Sequence, residues 1–536
     1  MAQTQVAEKH PRGLYVLFGT EMWERFSFYT VGAMLSLYLR DTTDGFGFSN
    51  ARSASVVSTY NMFIYFTPLI GGLIADRLTG FRKAIMIGGV SFMIGHALLA
   101  IPNNLLICYL ALTFLVIGNG FFKPNVSSMV GNLYREGSHL KDKAYLIFYM
   151  GINVGALLAP LVADFIQPRW GFHPAFFMGA VGMVISLIVF GVSQKWVRQA
   201  DHPKYRGAAG ASGDFARADG SRGHQEAVAT SEDLPPATPE PNAAAVTMDA
   251  VPEWKRILAL IVIFLIVIVF WMVFHQNSIS LTWWAEDHSR ALPGILSNAI
   301  NPLFIIILSL PLAAFWSWLD RRGLEPSTPV KMMIGMLLTG LSFVILYFSA
   351  TSGGFTAPVF RVIKAEAGQT YVQIAKEARD HLKVAMPPAQ VQVIEDGKPV
   401  TKEAYPVSVA NDTAMQAGDF VRLETHSASQ ITVAPTHRVS AMWLIVAYLV
   451  LSLGELMLSP MGLSLVSKVA PIRMRGVMMG GWFAATAIGN KLTGVAGYWD
   501  LWSHSHFFIL LASMALGMAV VLLLLLRPLK KAMPGV

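Results

Sequence analysis

Glu21, Glu24 and Arg25 lie inside the first long apolar stretch of the chain, in the run GTEMWERFSFYT. Their spacing, i, i+3 and i+4, puts all three on one face of a helix. Near the centre of a bilayer each ionised side chain costs about 2.5–3.5 kcal/mol even on a lenient scale. Three together therefore need partners or water. A carboxylate beside a fixed guanidinium stays ionised, and it takes a proton when that partner moves away. The chemistry on offer is proton uptake and release coupled to helix movement. Lys123, Glu455 and Lys491 are further charges in apolar stretches. Unpaired, the six would cost on the order of 15–20 kcal/mol. The competing reading makes Glu21, Glu24, Arg25 and Lys123 static glue between helices one and four, a task more often given to Ser, Thr or Asn.

Glu455 sits mid-way along another apolar stretch and is followed by Ser459-Pro460. Pro460 removes a backbone donor and bends a helix, which suits a gate. A carboxylate facing a cavity from that helix suits a substrate ammonium; the alternative is a buried pair with Lys491. Tyr29, Tyr65, Tyr149 and Trp482 each join an apolar body to a polar tip. A cavity tolerant of varied side chains needs such surfaces with few fixed polar anchors. Each of the four is equally compatible with ordinary helix packing.

The elements that must position these residues are membrane helices. Charged residues make up 14% of the 536-residue chain, against about 25% in soluble domains. Apolar residues reach 54%, and the mean hydropathy is +0.49. Twelve apolar stretches are long enough to span, near 14–39, 54–78, 84–102, 106–130, 144–166, 172–195, 255–284, 296–319, 330–350, 439–467, 476–499 and 505–527. The polar N-terminus and the long, charged run after it do not fit a cleaved signal peptide, so the first stretch is expected to remain as a helix. One set of short loops and ends carries Lys9, Arg12, Arg77, Arg82, Lys83, Arg135, Lys141, Lys143, Arg321, Arg322, Lys331, Lys468, Arg473, Arg475, Arg527, Lys530 and Lys531. The other offers Arg40, Arg52, Arg169 and Arg290. This asymmetry predicts both termini in the cytoplasm. Cations spread over loops read as topology signals and lipid contacts rather than a nucleic-acid footprint. The single cysteine, Cys108, rules out disulfides and cysteine-ligated metal sites within the chain.

Two polar stretches interrupt the pattern. Residues 198–252, rich in Ala, Gly, Pro and charge, read as a disordered cytoplasmic linker. They separate an N-terminal six-helix unit, 1–197, from helices seven to nine (253–351) and ten to twelve (438–536). Residues 352–437 hold short β-type runs, VFRVI, VQVIEDGKPV with an Asp396-Gly397 turn, and FVRLETH. They predict a small β-rich extracytoplasmic insertion. A weak repeat relates the halves: GGLIADRLTGFRK at 71–83 and WLDRRG at 318–323 both put Asp then Arg at a helix end. The expected fold is thus all-α and integral to the membrane, two pseudo-symmetric six-helix bundles of the major facilitator type. Gly71 with Gly72 permits close helix contact, and Asp76 with Arg77 has a structural or gating role.

The run Glu21–Tyr29, GGLIADRLTGFRKAI at 71–85, GNGFFKPNVS at 118–127, FYMGINVGALLAP at 148–160, GELMLSPMGLSLVSKVAP at 454–471 and GGWFAATAIGNKLTG at 480–494 occur in order along the chain. In them the sequence resembles the proton-dependent oligopeptide transporters, the POT or PTR2 family, E-x-x-E-R and FKPN being the most specific matches. The resemblance implies uptake of di- and tripeptides driven by protons, through a central cavity open alternately to each side. It implies that the first-helix glutamates and Lys123 handle protons, and that Glu455 with Asn153 receives the peptide amino group. It also raises Tyr29, Tyr65 and Trp482 as cavity walls. The implied partners are small peptides, protons and the plasma (or bacterial inner) membrane, with no cofactor and no nucleic acid, and a monomer is expected to suffice.

The chain departs from the family pattern in three places. His275-Gln276 stands where family members usually carry an acid on helix seven, and Gly32 where many carry an Arg linked to holding the peptide carboxylate. No pair of extra helices joins the halves. His275 is a candidate for the helix-seven protonation step, because an unperturbed imidazole titrates near ~6.5; the alternative is a neutral, hydrogen-bonded histidine. Gln276 and Ser459 join the substrate candidates. A proton-coupled carrier of nitrate or an organic anion is the nearest rival function. A membrane enzyme would need a convergent nucleophile or metal set, and His10, His96, His173 and His275 are scattered over separate stretches. A receptor role leaves the buried charges unexplained.

Overall fold

The computed structural model describes residues 9–134, 140–202, 248, 251–366, 369–395, 398–410, 413–427 and 430–534. The linker expected at 198–252 therefore falls mostly outside the described residues, as does the Asp396-Gly397 turn. Among the described residues the long helices are α1 (Arg12–Arg40), α2 (Asn50–Ile74), α3 (Phe81–Leu99), α4 (Leu105–Asn132), α5 (Leu140–Trp170) and α6 (Phe172–Val192). They continue as α7 (Glu253–Phe274), α8 (Ile300–Asp320), α9 (Thr328–Ser352), α10 (Ala441–Val469), α11 (Arg475–Leu492) and α12 (His504–Ala532). Ten helices among the described residues are long and apolar enough to cross a membrane. α1 and α11 are not among the ten, and it is α1 that carries Glu21, Glu24 and Arg25 within its length. The chain is a multi-pass membrane protein.

Helix bounds follow the apolar stretches closely, with two corrections. The stretch 255–284 is not one regular helix: α7 stops at Phe274, His275–Ser278 form a 3-10 turn, and a second helical piece runs Ser280–His288. The polar run HQNS supplies the side chains that satisfy the freed backbone. Gln276 donates to the carbonyls of Met272 (3.4 Å) and Thr493 (3.2 Å), and accepts from Ser280 Oγ (2.8 Å). In hydrocarbon a broken helix survives only with such replacement partners. The second correction is at 476–499, where α11 ends at Leu492 and gives way to a 3-10 run, Thr493–Tyr498.

α1 packs on α5 and α6, α3 on α4 and α6, and α2 on α4. In the other half α9 packs on α10 and α12, and α7 on α11 and α12. Contacts between the halves run from α2 to α11 and to Thr493–Tyr498, and from α5 to α8. Gly71 belongs to the α2–α4 crossing: a Cβ there would strike the Gly120 carbonyl, so the two helices meet backbone to backbone. Asp76 and Arg77 lie in a wider π-helical turn, Ala75–Thr79, that carries α2 on to Gly80 at φ +74°.

The segment between α9 and α10 holds β1 (Val359–Glu366), β2 (Gln369–Gln373), β3 (Ala389–Glu395), β4 (Lys398–Val409), β5 (Phe420–His426) and β6 (Ile431–Pro435). The strand order is β2-β1-β5-β6-β4-β3, and an added β2–β4 pairing closes five strands into a small barrel with β3 on its flank. Val362, Val372, Tyr405, Val407, Val421 and Val433 fill it. The alternating runs read from the sequence are strands here. The barrel is fastened to the helices by a short parallel pairing of Ser289–Arg290 with Val439–Ser440, and by Phe355, which accepts from Ser505 N at 3.1 Å.

Candidate functional site

Gly155 on α5 lies so close to α1 that a Cβ would meet the Met22 carbonyl and the Arg25 side chain. That approach buries the charge cluster. Glu21, Glu24 and Arg25 are all at most 2% exposed. Arg25 is held by both oxygens of Glu24 (2.5 and 2.6 Å), by Glu21 Oε1 (3.3 Å) and, from α4, by Asn119 Oδ1 (3.1 Å). Asn119 in turn donates to the Ile64 carbonyl of α2 at 2.5 Å. The second oxygen of Glu21 is buried without a hydrogen-bond partner among the described residues. Two carboxylates sharing one guanidinium leave Glu21 the more weakly held.

Lys123 Nζ lies 4.8 Å above the ring of Tyr65. The Tyr65 hydroxyl is 3.5 Å from His275 Nε2, and the His275 ring stacks on Trp271 at 4.8 Å. This chain of contacts starts on α4, passes through α2 and ends at the break after α7. It joins the two halves at the place where the backbone is least regular.

Glu455 lies on α10 and accepts from Asn301 Nδ2 at 3.0 Å, while the same amide reaches Ser452 Oγ at 2.9 Å. Glu455 and Lys491 are not paired among the described residues. Lys491 is exposed and donates to Thr59 Oγ1 at 2.6 Å, so it is no buried countercharge. Asn153 is buried and donates to the Tyr149 carbonyl at 2.9 Å. Trp482 is buried between Phe264 and Gly462. Tyr29, Tyr149 and Ser459 are part-buried, and Pro460 is exposed. Gln276, with its side-chain groups bonded to Met272, Thr493 and Ser280, holds the helix break. A Cβ at position 32 would meet nothing within 4 Å, so Gly32 leaves space in α1 where a longer side chain fits. The sequence reading missed Asn301, Asn119 and Trp271. The two asparagines were visible as lone amides in apolar stretches.

The halves are also tied together at the barrel-bearing end. Arg40 reaches Asp287 Oδ2 at 2.6 Å and lies over Trp283 at 5.0 Å, and Asn50 donates to Asp500 at 2.7 Å. Burial pushes the Asp500 carboxyl above the usual range, opposed by the Asn50 hydrogen bond. At the other end the ion pairs Arg82–Asp201, Lys331–Glu325 and Arg473–Glu253 each stay within one half.

The family model described as POT family matches residues 82–385 and 413–498. The chain belongs to the POT family. It is 29% identical to the uncharacterized transporter YclF of Bacillus subtilis, over 98% of this chain and 96% of the relative. It is 27% identical to a di-/tripeptide transporter of Lactococcus lactis, with 98% and 97% covered. A crystal structure of a peptide transporter POT in complex with sulfate matches with a TM-score of 0.70 at 25% identity, covering 98% of this chain and 96% of that one. The same transporter, mutated and bound to alafosfalin, matches at 0.69. Membership of this family makes the chain a membrane transporter, not an enzyme.

Proposed function

We propose that this POT-family chain is a proton-coupled symporter that imports di- and tripeptides by alternating access. The observation that carries the reading is the buried Glu21–Glu24–Arg25 cluster on one side of the molecule, with the Asn301-bound Glu455 on the other, in a chain whose relatives include di-/tripeptide transporters along nearly their full length. Its twelve long helices span the membrane as two six-helix bundles, 1–197 and 253–351 with 438–536, joined by the linker 198–252. The barrel, 352–437, lies outside the cell and both termini lie in the cytoplasm. The chain works as a monomer in the cytoplasmic (bacterial inner) membrane and needs no cofactor besides the coupling protons.

In this reading Glu21 and Glu24 exchange protons while Arg25 and Lys123 hold them between events, and His275 carries the step at the helix-seven break. Glu455, steered by Asn301, takes the peptide ammonium with Asn153 beside it. Tyr29, Tyr65, Trp482 and Ser459 line the route, Gln276 holds the broken helix at its edge, and Gly71, Asp76, Arg77 and Pro460 serve the moving crossings. The open space at Gly32, where many carriers place an Arg, favours as second reading a different small solute, nitrate or an organic anion among them. Proteoliposomes with an imposed inward proton gradient decide between these. Labelled Ala-Ala should accumulate, collapse with a protonophore, and be competed by unlabelled peptides but not by nitrate. Each proton moved down 100 mV supplies about 2.3 kcal/mol. No gradient-driven accumulation of any di- or tripeptide would refute the proposal.

A further inference from the structure

A cavity of about 480 Å³ lies where the barrel meets the helices, lined by Asp287, His288, Arg290, Asp419, Phe420 and Arg438 among others. None of these residues belongs to the central cluster. It is a partly open cleft of a volume in the small-molecule range, with Arg290, Asp419 and Arg438 exposed at it. Arg290 and Arg438 are brought side by side by the short parallel pairing, in which Arg290 Nε donates to the Arg438 carbonyl at 2.8 Å. Neither guanidinium forms an ion pair among the described residues. Two neighbouring cations repel unless an anion comes between them, and planar guanidinium forks match a carboxylate or phosphate. The wall also holds anionic groups: Asp419, which accepts from Gln416 N at 2.7 Å, and Asp287, whose Oδ2 is bound to Arg40. His288 is 1% exposed, packs edge-on against Phe420 at 4.7 Å, and its Nδ1 has no hydrogen-bond partner among the described residues. Both signs of charge over an aromatic wall fit a zwitterion better than a simple anion.

We propose that this cavity is a capture site for zwitterionic peptide ahead of the central site, with Arg290 and Arg438 taking the carboxylate and Asp419 the countercharge for the ammonium. The proposal rests on the peptide reading above. Asp287 belongs both to the cavity wall and to the ion pair that ties the halves together. A peptide held here therefore sits against the closure it must open.

The test uses the full-length protein and labelled Ala-Ala. Wild type should bind two peptides per chain at saturation, R290Q/R438Q one, and R290K/R438K, which keeps the charge but not the fork, two, the second more weakly. R290Q/R438Q should also raise the KM of gradient-driven uptake about tenfold, the loss of about 1.4 kcal/mol of binding. Wild type that neither binds nor imports peptide would defeat the functional reading itself. Wild type that imports with one peptide bound, or R290Q/R438Q that keeps two sites and the wild-type KM, would overturn the capture site alone. A smaller cavity beside the same arginines reaches Trp443, an interfacial residue type, so lipid phosphate is the rival anion. If R290Q/R438Q lowers Tm only in vesicles containing phosphatidylglycerol, and not in phosphatidylcholine alone, while peptide stoichiometry is unmoved, lipid holds the site and the proposal fails.

Discussion

Arg25 meets four oxygens from three residues, two from Glu24 and one each from Glu21 and Asn119, and its rigid fork suits that number in a way an ammonium does not. The weak member of the set is Glu21, with one oxygen at 3.3 Å and the other without a hydrogen-bond partner among the described residues. Losing Arg25's partnership would leave two carboxylates uncompensated, at several kcal/mol for buried charges. His275 is the residue whose role is open to the sharpest test, because its ring touches both halves through Tyr65 and Trp271. His275→Gln keeps a hydrogen-bonding side chain of similar reach but cannot carry a proton. We expect it to abolish proton-driven accumulation while leaving peptide exchange across the membrane intact, read as counterflow in proteoliposomes. Undiminished accumulation would take His275 out of the mechanism.

Among the elements, the broken helix after α7 and the closure at the barrel end matter most. The break places His275 and Gln276 on one short turn, with Gln276 holding Thr493 of the neighbouring 3-10 run. The closure rests on Arg40–Asp287 and Asn50–Asp500, each linking a helix of one half to the other half. The Arg40 and Asp287 side chains are 20% and 15% exposed, so the pair is screened less than a surface one. Arg40→Asp and Asp287→Arg should each shift the equilibrium toward an open barrel end, about tenfold for a loss of ~1.4 kcal/mol. Spin labels on Thr43 and Ala291 would report it as a growing long-distance population. The double exchange, R40D with D287R, should return the wild-type distribution. Distances that ignore both single changes would show that the seal lies elsewhere.

For the whole molecule, alternating access needs two rigid halves and a closure that reverses. Among the described residues, the ties at the barrel end join the halves while the ion pairs Arg82–Asp201, Lys331–Glu325 and Arg473–Glu253 at the far end stay within single halves, as in a molecule closed at the barrel end. The proposed orientation makes that side the exterior. Membrane-impermeant thiol labelling of single cysteines in a Cys108→Ala background checks it. Cysteine at Glu403 of the barrel should label in intact cells, and cysteine at Lys530 near the C-terminus only after permeabilisation. The reverse pattern would invert the assigned topology and make the cavity beside Arg290 face the cytoplasm.

Hydropathy and charge alone determined the helix positions, the separate β-rich segment and the charges that had to be buried. These are local quantities: a length of apolar chain, an alternation of side chains, the cost of an ion in hydrocarbon. Sequence motifs carried the family resemblance, and those from GNGFFKPNVS to GGWFAATAIGNKLTG fall within the residues that the family model matches. Only the tertiary structure decided which charges meet. A buried Glu455–Lys491 pair stood as the alternative by sequence, yet the helix faces send Lys491 to Thr59 and Glu455 to Asn301. The break at His275, read as continuous helix from apolar content, depends on Gln276 finding Met272, Ser280 and Thr493, and the last of these is 217 residues away. The cavity at Arg290 and Arg438 exists because a two-residue pairing joins segments 148 residues apart. Contacts over such separations are set by packing of whole helices, and nothing in the neighbouring sequence encodes them.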